Sequence, residues 1–234
     1  MTVLFCSVSL FASAQIIQDT LLYKELAQRA KIDQYAANAY PPESEDISQK
    51  RWNQKKDSIF RDNKAFAERI LNEKGFPGFD LVGKKGSYGY WLMVQHADFD
   101  PDFQQRVLDS MKVQLERNNA NPNNYAFLTD RIRINTGRKQ VYGTQLDIKM
   151  FTGKVKSLPT ENWETINERR ASLGMETIEE YLEFNQESHM ESNATIIPGV
   201  TNVMVILCIL IFFVTALIFV IIRRIKRGKR RKRS

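Results

Sequence analysis

Residues 100–135 read DPDFQQRVLDSMKVQLERNNANPNNYAFLTDRIRIN, and their punctuation decides the fold. Asp100-Pro101 and Asn121-Pro122 each place a capping side chain ahead of a proline at the first helical position, where the missing N–H costs nothing. Behind the first start signal, Phe103, Val107, Met111 and Leu115 recur every fourth residue. Behind the second, Tyr125, Leu128 and Ile132 fall on one face. Both spacings belong to helices that bury a single stripe. Two such helices on a short link predict a mainly α domain.

The same period extends outward. Residues 17–39 read as a helix with Ile17, Leu21, Leu22 and Leu26 on one side. Pro41-Pro42 and the acidic stretch to Asp46 break it. Asp46 with Gln49 resembles a capping box, and Trp52, Ile59, Phe60, Phe66, Ile70 and Leu71 form the next stripe until Gly75-Phe76-Pro77-Gly78. Gly83 to Gly89 reads as a glycine- and lysine-containing loop, without the residue order of a phosphate loop. Trp91 to Asp98 reads as helix. From Gln140 to Ile148 the period changes to alternation, which predicts a strand, with Thr152-Gly153 as the turn of a short hairpin. Helices follow around 161–173 and 177–186. The expectation is one mainly helical domain over 46–186 with one small β-hairpin, preceded by an N-terminal helix and linker over 15–45.

The ends carry a different message. The chain has 234 residues and a net charge of +7, but residues 223–234 alone hold nine Lys or Arg. Residues 15–198 hold 25 basic and 27 acidic side chains, a net of −2. A basic nucleic-acid-binding face is therefore excluded, because the charge is in a tail. Val200 to Ile222 has no charge, and 23 residues at about 1.5 Å each are enough to cross a bilayer. The span is assigned to 199–222, with a polar stalk over 187–198 before it. The basic tail marks the cytoplasmic side, which puts the domain outside, in the periplasm of a bacterium. An export signal fits that layout: residues 1–14 are apolar or small and end in Ala12-Ser13-Ala14, although no Lys or Arg precedes the apolar run. A tail-anchored arrangement would have to carry nine positive charges across the membrane. The C-terminus also has the parts of a processed cell-surface sorting signal, without its LPxTG motif. Cys6 and Cys208 lie in the signal and the span, so the exported part has no disulfide framework.

Three stretches mix polar residues into apolar surroundings. They are Trp91-Leu-Met-Val-Gln95-His96-Ala-Asp98, Tyr125-Ala-Phe-Leu-Thr-Asp130-Arg131, and Gly137…Gln140-Val-Tyr142-Gly143-Thr144-Gln145. Together with Arg169-Arg170-Ala-Ser-Leu-Gly174, they resemble the blocks of a bacterial family of domains of unknown function, number 6624. The resemblance covers roughly residues 50–185 and implies no activity, since the family has none to carry over.

The residues themselves suggest two kinds of function. His96, with Asp98 as orienting partner and Asp130 as second titratable group, is a candidate acid/base set for a hydrolase-like enzyme. Arg131, Gln95, Gln140, Tyr142, Thr144 and Gln145 are candidates for holding a small polar or anionic ligand in a membrane-anchored binding domain. A satisfied core histidine, a salt bridge between helices and backbone-capping glutamines are the structural alternatives. No cofactor is called for. One histidine with Asp98, Asp100 or Asp130 suits at most a hard divalent cation, not zinc. No nucleophile motif is present. The expected partners are membrane lipid, an unidentified small-molecule or peptide ligand, and a membrane protein that would relay a signal the twelve-residue tail is too short to carry.

Overall fold

The computed structural model describes residues 17–38, 40–42, 45–149 and 153–196, the last six as backbone alone. The signal over 1–14, Thr152, the span over 199–222 and the basic tail lie outside the described residues. Among the described residues, no helix is long and apolar enough to cross a membrane.

Among the described residues, seven α-helices run in order: α1 (Thr20–Ala36), α2 (Gln49–Lys74), α3 (Phe79–Gln95), α4 (Pro101–Leu115), α5 (Pro122–Asn135), α6 (Ile166–Ser172) and α7 (Ile178–Ile196). Between α5 and α6 stand two three-residue strands, β1 (Leu146–Ile148) and β2 (Val155–Ser157), paired in one small antiparallel sheet. The expected class, a mainly helical domain with one small β element, is the one observed.

Both proline start signals work as their chemistry dictates. Asp100 Oδ1 accepts from the Phe103 N–H at 3.0 Å, and Asn121 Oδ1 accepts from Asn123 at 2.8 Å. The α2 cap is Ser48 rather than Asp46: its hydroxyl accepts from Arg51 N–H. On α1, Leu22 and Leu26 are buried but Leu21 is 78% exposed. Adjacent helical positions point about 100° apart, so only one of Leu21 and Leu22 can face the core.

The stretch Gly83–Gly89 is not a loop: α3 kinks at Gly83 and continues as helix from Lys84. Only Gly83 departs from helical geometry, at φ +68°, and Ile17 packs over it. The remaining glycines serve packing. A Cβ on Gly89 would stand 3.2 Å from the Leu26 carbonyl and 3.2 Å from Ala30 Cβ. Glycine there lets α1 come up against α3. At the other end, α7 runs to Ile196, beyond the expected helix end near 186, since neither proline nor glycine interrupts it before Pro198.

The described residues divide into two compact units. One takes in the described residues up to Asp147 and Lys156–Glu179, and its core joins Leu26, Phe66, Tyr90, Met93, Phe103 and Leu128. α1 packs against α3 and α2, and α4 against α5. The other takes in the described residues within Ile148–Val155 and from Glu180 to Ile196. Within it, Gln186 clamps the hairpin: its Oε1 accepts from Val155 N–H at 2.9 Å and its Nε2 donates to the Gly153 carbonyl at 3.0 Å.

Candidate functional site

The polar residues singled out in the sequence fall into three separate hydrogen-bonded groups. The first surrounds His96, which follows the last residue of α3 and caps it. Its Nδ1 lies 2.6 Å from Asp33 Oδ2, and Asp33 sits fully buried on α1. The other Asp33 oxygen accepts from Asn63 Nδ2 at 3.1 Å, and Asn63 Oδ1 accepts in turn from Arg29 at 3.2 Å. A buried carboxylate needs such partners to be tolerated at all. The His96 ring stacks on Phe60, with centroids 4.8 Å apart. With Nδ1 committed to Asp33, Nε2 is the remaining nitrogen. It has no hydrogen-bond partner among the described residues, and the side chain keeps 15% of its surface exposed. The carboxylate that orients His96 is thus neither Asp98 nor Asp130. It lies 63 residues away, and no local pattern marks it.

The second group surrounds Asp98. Arg131 holds it with a planar fork, Nε to Oδ1 at 2.8 Å and Nη2 to Oδ2 at 2.5 Å. Asn135, one turn further along α5, donates to Oδ1 at 2.7 Å. Gln104 Nε2 also reaches Oδ1, at 3.3 Å, and bonds the carbonyls of Val94 and Gln95. Gln95 enters the group through that carbonyl. The guanidinium proposed to clamp a ligand is engaged with a carboxylate of the same chain.

The third group is a latch on the loop after α5. Asp130 is fully buried. Its Oδ1 accepts from Val141 N–H at 2.6 Å, and its Oδ2 accepts from the Thr144 N–H and hydroxyl, both at 2.9 Å. Tyr142 N–H donates to both oxygens, at 3.1 and 3.2 Å. On the carbonyl side, Arg169 Nε donates to Val141 at 2.9 Å and the buried Arg170 Nη1 to Tyr142 at 2.8 Å. Gln140 stitches the loop to its neighbours: Nε2 donates to the Gln145 and Leu158 carbonyls and to Ser157 Oγ, and Oε1 accepts from Gln145 N–H. Gln145 Nε2 donates to Thr144 Oγ1 at 3.2 Å. Gly143 stands at φ +73°, a backbone region strained for any side chain, and a Cβ there would also meet Ile178 Cδ1 at 2.8 Å. Desolvation, with Tyr125 and Asp130 nearby, pushes the Tyr142 phenol above its ordinary pKa.

The chemistry open to each group follows. Asp130, Gln140 and Thr144 spend their polar atoms on the chain itself, and Arg131 spends its fork on Asp98. The pair of His96 and Asp33 presents an imidazole nitrogen that no described residue engages. Among the described residues, no three His, Cys, Asp or Glu side chains cluster so as to hold a metal ion. Residues 52–190 match the model of DUF6624, a family of unknown function. No curated protein and no solved structure matches.

Proposed function

We propose an acid–base chemistry for this chain, which belongs to the DUF6624 family. His96 moves a proton through Nε2, and Asp33 fixes the ring and balances its charge. The observation that carries the reading is the 2.6 Å contact between His96 Nδ1 and the buried Asp33 carboxylate. Such a partner sets the tautomer so that a neutral ring presents Nε2 as acceptor. It also favours the imidazolium that forms when that nitrogen takes a proton. Phe60 and Asn63 hold the pair in place, as a catalytic group requires of its supports. With no activated nucleophile beside it among the described residues, the simplest reaction is hydrolysis: a water that Nε2 deprotonates attacks, the bond to the leaving group breaks, and the imidazolium returns the proton to that group.

The domain does this work outside the cytoplasm, anchored by the apolar span over 199–222. Support comes from the sequence: nine positive charges follow the span, and an A-x-A site ends the leader. Protease added to intact spheroplasts should degrade the domain; protection until the inner membrane is opened would refute the placement.

The chemistry is tested by hydrolysis of chromogenic esters, phosphoesters, glycosides and peptides by the full chain. Wild type should turn over one class, and His96→Ala, which takes a partner from the buried Asp33 and melts lower, should lose roughly 10²–10⁴-fold at a temperature where it is still folded. Asp33→Asn should lose activity as well. No turnover of any class, or equal turnover by His96→Ala, would overturn the reading.

A further inference from the structure

A concavity of about 210 Å³ opens between the start of α3 and the first turn of α5, lined by Phe79, Lys84, Tyr88, Asn121, Pro122 and Asn124. None of these residues belongs to the His96 network. Tyr88 is 49% exposed, although its neighbours on the helix, Ser87 and Gly89, are buried. It stacks on Trp91 with centroids 5.5 Å apart and planes at 25°. Trp91 Nε1 donates to the Asn124 carbonyl at 2.9 Å, so the ring pair and the first turn of α5 are tied together. A flat aromatic face is thus backed by a buried ring and held rigid.

The polar groups around that face are uncommitted. Asn121 spends its Oδ1 on the cap of α5. Its Nδ2, the Asn124 side-chain amide, the Tyr88 hydroxyl and the Lys84 ammonium have no hydrogen-bond partner among the described residues. Lys84 stands 5.8 Å from the centre of the Phe79 ring. An apolar plane rimmed by two primary amides, a phenol and one ammonium matches one ligand chemistry. A sugar ring offers an apolar C–H face to stack on a π system, and hydroxyls at its edge that both donate and accept, as a carboxamide does. A phosphorylated ligand would need more than one cation, and an aliphatic ligand would leave the rim groups unpaired. We propose that this concavity binds a carbohydrate, with one pyranose ring stacked on Tyr88 and its hydroxyls bonded to Asn121, Asn124 and Lys84.

Calorimetric titration of the full chain in detergent tests this, with chitotetraose, cellotetraose and maltotetraose as probes. At least one should bind saturably. Tyr88→Ala should weaken that binding about tenfold or more while the protein stays folded with at most a small drop in melting temperature, because Tyr88 is half exposed. Lys84→Ala, further from the core, should weaken it less. His96→Ala should bind as wild type does, which separates this site from the acid–base chemistry. No saturable heat from any of the three sugars, or equal binding by Tyr88→Ala, would overturn the proposal.

Discussion

Asp130 and Arg131 are neighbours in the sequence and opposites in what their loss would do. Asp130→Ala would leave three loop N–H groups and the Thr144 hydroxyl without their acceptor. Unfolding in urea should show a loss on the order of 3–5 kcal/mol, the cost of opening a buried charged network. Arg131→Ala breaks a fork to Asp98, which is 41% exposed, and should cost only about 1 kcal/mol or less, falling with added salt. The sequence singles out both residues, because carboxylates and guanidinia among apolar side chains are conspicuous. It does not say which one is buried. It is silent about Asp33, whose tie to His96 depends on how three helices meet. Asp100 gives a second test at this scale. The Lys64 ammonium, then the Phe103 N–H, holds its carboxyl below the usual carboxylate range. Its stabilising effect is therefore full above the unfolded value of about 3.9 and is lost as pH falls through the lower folded one. Asp100→Asn, which can still cap α4, should flatten the loss of stability below about pH 4 in a series of urea titrations.

At the scale of elements, the helices with proline starts were legible because cap and period agree, and local agreement of that kind rarely misleads. The stretch Gly83–Gly89 was not. Glycine lowers helix propensity by about 1 kcal/mol relative to alanine, so three glycines among seven residues argue for a loop on local grounds. Tertiary packing decides otherwise: α1 lies so close that a side chain at Gly89 would press on the Leu26 carbonyl. Gly89→Ala should raise the propensity of α3 and still destabilise the protein, by about 1–3 kcal/mol in thermal unfolding, through forcing α1 outward. A gain in stability would show that α1 can shift freely. The strand expected over Gln140–Ile148 is shortened to β1 for a related reason. The amides of Val141, Tyr142 and Thr144 donate to Asp130, and donors so engaged are not available to a sheet.

For the whole molecule, the four sequence blocks have unlike fates. The second, third and fourth supply Asp130, Gln140, Gly143, Arg169 and Arg170, which together fasten one loop into the interior. The first supplies His96, whose partner Asp33 lies before residue 52, where the family match begins. The fold was legible in outline since burial periodicity is local; the dyad was not, since it spans an extra helix. The latch has one further consequence, and it concerns time. Loop amides usually trade their hydrogens with water through small local openings. Those of Val141, Tyr142 and Thr144 are bound to a buried carboxylate, while guanidinia grip the loop's carbonyls from behind. In deuterated solvent they should exchange as slowly as the centre of α4, giving an irregular loop the kinetic signature of a core helix.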